Sequence, residues 1–289
     1  MRAEGSDATP RVAVVIPCFN GGPMLLEAIA SVQEPEPVEI VVVDDRSTDP
    51  ATLEILQRVE ANGVRVLRQE HNGGCAVARS TGVAATTAPY LFPLDTDDLA
   101  IPGMLSRMAD QLDEDPGAAA CVGDYQEFGD YTVLRAVPDR LDPYRVAYTN
   151  EYAVSALYRR SVVEPIGAWR DPAGPHERGY EDWNLWMDLA ERGARIIHIG
   201  PGIPVYRRRV LPTGVNHDSR RRHAQLYRRL RDAHPALFAR VGEHRRSSDL
   251  SSLRKLLYPI VYGDRRLLRG ERTLKPLLDR AGIWTQQRR

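Results

Sequence analysis

Short apolar runs rich in β-branched residues alternate with helix-like segments through the first 95 residues or so, and this alternation constrains the fold most strongly. The runs predict strands at about 11–17, 39–43, 64–67 and 88–94, with helices between them at about 23–33, 50–61 and 75–85. A helix between two strands returns the chain to the same end of the sheet, so that successive strands run parallel. The sequence therefore predicts an α/β fold with a mainly parallel sheet flanked by helices.

The pattern beyond residue 100 is less regular. A helix is predicted at about 102–112, a strand at 118–122, extended segments to about 158, a strong helix at 180–192, and strands at 195–199 and 203–207. From residue 216 the pattern turns helical and arginine-rich, which predicts a basic, helical C-terminal region.

Composition places the chain among ordinary globular proteins. Its 289 residues are 43% hydrophobic and 27% charged, enough for one large domain or one domain with an appendage. It contains no apolar run of about 18 residues and no apolar segment typical of a secretory signal near its start. The scattered Cys18, Cys75 and Cys121 favour reduced thiols. We therefore expect a cytoplasmic protein.

The formal net charge of zero conceals an asymmetry. From Asp218 onward the chain has 19 Lys+Arg and 7 Asp+Glu, whereas the first 217 residues have 20 and 32. Two interpretations of the basic region stay open: helices that pack on the acidic body or on a second subunit of a homodimer, and peripheral contact with anionic lipid at the inner face of the membrane. No nucleic-acid-binding module is recognisable, so no nucleic acid partner is expected.

An apolar run at 88–94 ends in three carboxylates within four residues, Asp95, Asp97 and Asp98. On an extended chain Asp95 and Asp97 point to the same side. Carboxylates so close repel one another unless a cation lies among them, and an all-oxygen set suits a hard divalent ion that also binds phosphates. The alternative is a solvated acidic turn before the next helix.

Polar groups also follow the other predicted strands, where open α/β sheets bind ligands. Asp44 stands at a rigid strand end and is suited to accept hydrogen bonds from a base or a ribose; the alternative is that Asp44 or Asp45 caps the next helix, and we interpret Asp45 as structural. Phe19 is placed to stack on a base or to pack in the core.

The segment 72–74 (NGG) precedes a helix whose start can offer backbone N–H groups to phosphate oxygens. Arg79, in that helix, has small neighbours and can reach a diphosphate; the alternative is a surface salt bridge.

The phase of the helix at 180–192 distinguishes its carboxylates. Positions 181, 184, 188 and 191 form a polar stripe, whereas Asp182 shares an apolar face with Leu185, Trp186 and Leu189. A carboxylate on an apolar face is costly, and partial burial raises its pKa toward the range useful for a general base. The alternative for Asp182 is an N-cap.

Taken together, these motifs resemble the family 2 glycosyltransferases, which are inverting enzymes of the GT-A fold. The resemblance covers about 11–209 and rests on five motifs in family order: VIPCFN at 15–20, VVDDRSTD at 42–49, NGG at 72–74 followed by ARSTG at 78–82, LDTDD (the DXD motif) at 94–98, and GYEDW at 179–183 with LAERG at 189–193. It implies a Rossmann-like GT-A sheet.

The resemblance also implies roles for individual residues. Asp182 would act as the general base on the acceptor hydroxyl, and Asp97 would coordinate Mg²⁺ or Mn²⁺. The nucleotide-sugar-binding residues would be Pro17, Phe19, Asn20, Asp44, Asn72, Gly74, Arg79, Asp95 and Thr96, with Glu181, Trp183 and Arg209 as secondary acceptor or diphosphate contacts. The donor would be a UDP-, GDP- or dTDP-sugar, and the acceptor a glycan, a lipid-linked or a small molecule used in glycan biosynthesis.

The expected organisation is a GT-A domain at 1–215, with a nucleotide-sugar half at about 11–100 and an acceptor half at about 101–215, followed by a basic helical extension at 216–289. The chain departs from the family pattern in two places. Arg46 replaces a usual glycine, and arginine stands where many relatives have a histidine after a Tyr-Arg pair. Either Arg209 or His217 would take over the role of that histidine.

Two other functions remain as alternatives. A catalytically silent nucleotide-sugar-binding protein would share this fold. A haloacid-dehalogenase-like phosphotransferase would use Asp95 as nucleophile, but that chemistry usually needs a downstream lysine, and only Lys255 and Lys275, both in the basic region, are present.

Overall fold

The computed structural model describes residues 9–129, 131–172, 174, 178–210, 222–263 and 270–281. The strands in these ranges are β1 (Val12–Cys18), β2 (Val38–Asp44), β3 (Arg65–Arg68), β4 (Tyr90–Pro93), β5 (Leu99–Ala100), β6 (Ala118–Val122), β7 (Asp124–Phe128), β8 (Val133–Arg135), β9 (Leu157–Arg159), β10 (Arg195–His198) and β11 (Pro204–Arg209).

The helices are numbered in the same way. They are α1 (Met24–Ser31), α2 (Pro50–Ala61), α3 (Cys75–Ala84), α4 (Met104–Glu114), α5 (Pro143–Val146), α6 (Arg160–Val163), α7 (Glu181–Glu191), α8 (His223–Ala233), α9 (Pro235–Ala239), α10 (Val241–Ser247), α11 (Ser252–Tyr262) and α12 (Gly270–Arg280).

The central sheet has seven strands in the order β10-β6-β9-β4-β1-β2-β3. Strands β4, β1, β2 and β3 pair in parallel, as do β10 and β6, whereas β9 is antiparallel to both of its neighbours. The predicted mainly parallel α/β sheet is therefore confirmed. The segment predicted as extended up to about 158 contains one exception, helix α5, because Asp142 caps it by accepting a hydrogen bond from the N–H of Tyr144 (2.9 Å).

Helix α3 packs closely against β1, and its small residues explain why. A Cβ built on Gly82 would lie 2.3 Å from Cγ1 of Val15, a distance that no side chain tolerates. Ala76 and Ala78 of the same helix are also buried. This close approach brings Arg79, on α3, to the ends of the central strands.

A second sheet of four strands, in the order β5-β11-β7-β8, lies beside the acidic segment that follows β4. In the β11–β7 pair, Tyr206 is opposite Tyr125, and their rings stack with centroids 5.3 Å apart. Because side chains alternate along a strand, Tyr206 and Arg208 share one face of β11, while Arg207 and Arg209 share the other.

The described C-terminal helices pack on the body of the molecule. Tyr227 and Leu230 of α8 and Leu237 of α9 belong to the same apolar cluster as Trp183 and Trp186 of α7. Packing of the basic region on the body, one of the two interpretations left open, therefore holds for α8 and α9. The predicted boundary at 215/216 lies outside the described residues. None of the helices in the described ranges combines the length and hydrophobicity that crossing a bilayer requires.

Candidate functional site

The carboxyl ends of β1, β2 and β4 lie side by side. Cys18 at the end of β1 is opposite Asp44 of β2, and β4 ends at Pro93, opposite Val15. The polar loops that follow these strands therefore start at one edge of the sheet, as predicted from the sequence. Pro17 is buried within β1, where its backbone pairs with β2.

The two aspartates after β2 have different partners. Asp44 is 4% exposed and accepts a hydrogen bond from the backbone N–H of Ser47 (2.9 Å). Asp45 accepts from the N–H groups of Gly73 and Gly74 (2.6 and 2.8 Å), and burial raises the pKa of its carboxyl. Asp45 therefore holds the loop before α3 against the end of β2, so these two amides are engaged within the protein.

Asn20 ties the loop after β1 to the loop after β2. Its Oδ1 accepts from the N–H groups of Thr48 (2.8 Å) and Asp49 (2.9 Å). Asp49, rather than Asp44 or Asp45, caps α2 by accepting from the N–H of Thr52 (2.9 Å). Phe19 is 50% exposed, so the interpretation of this ring as a core residue is wrong. A ring exposed at this edge is free to stack on a base.

The loop at 72–74 carries a buried polar atom that suits a ligand. Oδ1 of Asn72 is buried and has no hydrogen-bond partner among the described residues. Arg178 donates from Nη2 to the Asn72 carbonyl, and its Cδ would lie 2.8 Å from a Cβ on Gly74. Gly74 has φ = +87°, so a side chain there would be strained as well as crowded.

Arg79 connects two distant parts of the chain. Its Nη2 donates to Oδ1 of Asp95 (2.5 Å) and its Nη1 to Oε1 of Glu181 (2.7 Å). The Arg79 side chain is only 3% exposed, so the interpretation as a surface salt bridge is wrong. Because Glu181 begins α7 and Asp95 follows β4, this pair of contacts places the start of α7 beside the acidic segment.

The three carboxylates after β4 are close together. One oxygen from each of Asp95, Asp97 and Asp98 lies within 4.8 Å of the others. Burial and, after it, the charge of Asp95 raise the pKa of Asp97, and burial raises the pKa of Asp98 well above its usual range. Thr96 packs against Gly21: a Cβ built on Gly21 would lie 3.2 Å from the Cβ of Thr96. A cluster of carboxylate oxygens under mutual repulsion fits a divalent cation such as Mg²⁺ or Mn²⁺.

Asp182, in the first turn of α7, is partly buried. Its Oδ1 accepts from the N–H of Trp183 (2.7 Å) and its Oδ2 from Nδ2 of Asn150 (2.9 Å). Burial and, after it, the charge of Glu181 raise the pKa of Asp182 to about 7, against the opposite effects of Trp183 N–H, Arg79 and Arg208. The N-cap position belongs to Tyr180, so the interpretation of Asp182 as an N-cap is wrong. A carboxylate with this pKa can accept a proton near neutral pH.

The polar stripe of α7 is largely buried, although polar side chains on one face of a helix usually face water. Asn184 and Asp188 are buried, and Nε2 of His234 lies 3.0 Å from Oδ1 of Asn184. Glu191 accepts from the N–H of Leu237 (2.9 Å). Helices α8 and α9 and His234 between them cover the stripe, and Arg170 donates to Oδ2 of Asp188 (2.7 Å), so the buried polar groups have partners.

The other two predicted secondary contacts differ in position: Trp183 lies in the core, whereas Arg209 lies against the acidic segment. Trp183 is 4% exposed and its indole N–H donates to the Val146 carbonyl (2.7 Å), which places the ring in the core. The backbone N–H of Arg209 donates to Oδ1 of Asp98 (2.9 Å) and its Nε to the Asp97 carbonyl (3.2 Å). Its Nη2 pairs with Oε2 of Glu27 (2.7 Å), and its guanidinium lies 4.7 Å from the centroid of Phe128. His217 lies outside the described residues.

Arg208 was missed from the sequence. Its positive charge opposes the rise in the pKa of Asp97, Asp98 and Asp182, so it lies near both the acidic segment and the start of α7. A side-chain hydrogen bond with Tyr125 holds it. The alternation of side chains along a strand predicts that Arg208 and Arg209 lie on different faces, but it does not predict the partners of either. Asn150 was missed as well, because it lies in an irregular segment without a motif.

Comparison with known proteins identifies the family. The model of glycosyl transferase family 2 matches residues 13–166, just over half of the chain. The chain belongs to glycosyltransferase family 2. Glycosyltransferase GlyG of Streptococcus pneumoniae serotype 4 is 33% identical over 121 residues, which are 40% of this chain and 40% of GlyG. Alignments with three curated relatives cover 30–40% of those proteins' lengths.

Two solved structures share the fold. TarS 1-349 of S. aureus in complex with UDP-GlcNAc has a TM-score of 0.67 and 19% identity, covering 95% of this chain and 78% of that one. The mannosyltransferase PcManGT of Pyrobaculum calidifontis, in complex with GDP-Man and Mn²⁺, has a TM-score of 0.56 and 19% identity, covering 97% and 82%. The predicted GT-A architecture is confirmed by these similarities. Family membership also makes the haloacid-dehalogenase alternative wrong.

Proposed function

We propose that the protein is an inverting glycosyltransferase that transfers a sugar from a nucleoside-diphosphate sugar to an acceptor hydroxyl. The observation that carries this proposal is the pair of buried contacts from Arg79 to Asp95 and Glu181. These contacts bring the start of α7, where Asp182 follows Glu181, toward the carboxylates that suit a diphosphate-bound cation. A base and a site for the leaving group side by side are what direct displacement at a sugar carbon requires.

The donor would lie across the carboxyl ends of β1, β2 and β4. Phe19 offers a half-exposed ring to the base, Asp44 lies at the end of β2, and the buried Oδ1 of Asn72 needs a partner that a nucleotide can provide. TarS was solved with UDP-GlcNAc and PcManGT with GDP-Man, which supports a nucleotide sugar as the class of donor.

Asp97, with Asp95 beside it, would hold Mg²⁺ or Mn²⁺. When bound there, the cation offsets negative charge that develops on the departing diphosphate. Arg208 adds a fixed positive charge from the side of β11, where its field acts on Asp97, Asp98 and Asp182. We assign Arg208 to the diphosphate on this ground, in addition to the earlier prediction for Arg209.

In the proposed reaction, Asp182 accepts the proton of the acceptor hydroxyl as its oxygen bonds to the anomeric carbon. The bond from that carbon to the diphosphate oxygen breaks, and its electron pair leaves with the nucleoside diphosphate. Attack from the face opposite the leaving group inverts the configuration. Asn150 and the N–H of Trp183 hold the two oxygens of Asp182 in place for the proton transfer.

The proposal is tested by incubating the full chain with UDP-, GDP- and dTDP-sugars and measuring release of the nucleoside diphosphate with Mn²⁺ or with EDTA. We expect one donor class to be hydrolysed slowly and EDTA to lower the rate about a hundredfold, because the leaving group loses its main counter-charge. Asp97→Asn should lower the rate as much as EDTA does, whereas Asp232→Asn, on the exposed face of α8, should leave the rate unchanged. Binding without turnover for every donor and acceptor offered would favour the catalytically silent alternative.

The activity should depend on pH through Asp182. The base works only when deprotonated, so kcat/KM should rise with pH and level off above about 7, falling roughly tenfold per pH unit below that value. Asn150→Ala removes a hydrogen bond to the charged form, so the half-maximal pH should move upward. Asn62→Ala, which replaces an exposed amide after α2, is the control. An Asn150→Ala profile that coincides with wild type would remove Asn150 from this role.

A further inference from the structure

A cationic cavity lies between α10 and α11, among residues that the proposed reaction does not use. Its volume is about 420 Å³, and its lining consists of Gly242, Arg245, Arg246, Ser252 and Lys255. That lining brings two guanidinium groups, one ammonium group and a hydroxyl together. Such a set is suited to phosphate oxygens.

Among the described residues, the acidic side chains nearest in sequence have other arginines as their main partners, and Glu243 feels the charge of Arg246 only as a smaller effect. Glu243 accepts from Nε of Arg240 (3.0 Å), and Oδ1 of Asp249 lies 3.8 Å from Nη1 of Arg145. Both carboxylates are therefore paired with arginines that do not line the cavity. Nζ of Lys255 makes a long contact with the Arg246 carbonyl (3.4 Å), which is an uncharged partner.

Exposed leucines flank the cavity on α11. Leu253 follows Ser252 and is 47% exposed, and Leu256 follows Lys255 and is 55% exposed. The two leucines are three residues apart on one helical face. Helix α12 packs against α11 and adds Leu277, which is 59% exposed.

The opposite face of α11 packs against the body of the protein. Tyr258 and Val261 are buried in a cluster with Tyr144, and the Tyr144 hydroxyl donates to the Lys255 carbonyl (2.5 Å). The leucine face is thus not the face that folds α11 onto the protein. An apolar face rimmed by cations, on a helix held from behind, is the arrangement of surfaces that lie in a membrane interface.

We infer that α10 and α11 form a docking surface for an anionic phospholipid bilayer, with lipid phosphate in the cavity of Arg245, Arg246 and Lys255 and with Leu253 and Leu256 among the acyl chains. The cations select negatively charged headgroups, and the leucines distinguish a bilayer from a nucleic acid or a free phosphate. This surface belongs to the described part of the basic region and does not depend on the proposed transferase activity.

The test is co-sedimentation of the full chain with phosphatidylcholine vesicles and with vesicles that also contain about 30% phosphatidylglycerol. We expect binding to the second kind alone, weakened by salt. The triple variant Arg245→Gln/Arg246→Gln/Lys255→Gln should bind about a hundredfold more weakly, since each cation near an anionic surface contributes. Leu253→Asn/Leu256→Asn should also bind more weakly, and its reduced binding should be less sensitive to the vesicle charge.

Matched controls separate the effect of the cavity and its leucines from a general loss of positive charge or of exposed apolar surface. Arg58→Gln/Arg192→Gln/Arg228→Gln removes the same charge from exposed positions elsewhere, and Leu53→Asn removes an exposed leucine from α2. Circular dichroism checks that each variant is folded. Equal binding by the triple variant and its control overturns the inference, as does equal binding to both kinds of vesicle. Binding of inorganic phosphate or of a short oligonucleotide by the cavity, without vesicle binding, overturns it too.

Discussion

Replacing Asp182 with asparagine should lower kcat about a thousandfold, within the range that a positioned general base contributes. The amide keeps the shape of the side chain but cannot accept the proton of an acceptor hydroxyl. Asp182 and the neighbouring Glu181 are acidic, and the pKa of Asp182 is raised to about 7. The negative charge of Asp182 repels the anionic donor, so its removal should leave donor binding unchanged or slightly tighter.

The decisive measurement for Asp182→Asn combines steady-state transfer with calorimetric binding of the nucleotide sugar. Loss of kcat with intact donor affinity supports the role of base. A fall in donor affinity that accounts for the whole loss would instead place Asp182 in the donor site. Asp232→Asn serves as the carboxylate control, because Asp232 is exposed on α8.

Replacing Arg79 with methionine should lower the free energy of unfolding by about 3–5 kcal/mol, because two carboxylates lose a buried counter-charge. The Arg79 side chain is 3% exposed, whereas those of Asp95 and Glu181 are 33% and 17% exposed, so the lower end of this range is expected. The same change should reduce transfer strongly, since it releases the start of α7 from the end of β4.

Urea denaturation of Arg79→Met beside Arg68→Met provides the comparison. Arg68 makes a surface pair with Glu60 (2.7 Å), and loss of such a pair costs about 0–1 kcal/mol. Adding Glu181→Gln to Arg79→Met should recover part of the lost stability, because one unpaired carboxylate disappears. If the double variant is less stable than Arg79→Met by the full effect of Glu181→Gln alone, the two side chains are not coupled and the bridge is not the connection we describe.

Much of the central sheet could be predicted because its signals are local. Runs such as 39–43 are β-branched and continuous, and the strand at 118–122 was predicted with the bounds that it has. The same local reasoning singled out Asp182, since helical phase put it on an apolar face. It could not predict that Asn184 and Asp188 are buried, because helices α8 and α9 cover a stripe that would otherwise face water.

The arginines of β11 show the limit of local reasoning in another way. Arg207, Arg208 and Arg209 follow one another, and no pattern in the chain predicts the partners of each. The pairing of β11 with β7 decides them, by setting Arg208 beside Tyr125 and Arg209 over Phe128. Asn150 was missed for a related reason: its hydrogen bond to Asp182 spans 32 residues through an irregular segment.

Order along the chain was enough to establish the strands, the acidic turn at 95–98 and the candidate base, because each depends on neighbours within a few residues. Folding in three dimensions selected the partners. Arg79 reaches a carboxylate 102 positions away, and Arg209 of β11, in the second sheet, donates hydrogen bonds to Asp97 and Asp98. A charged side chain is stable in the interior only where opposite charges offset the cost of its desolvation. Such positions exist only once the sheets and helices have packed.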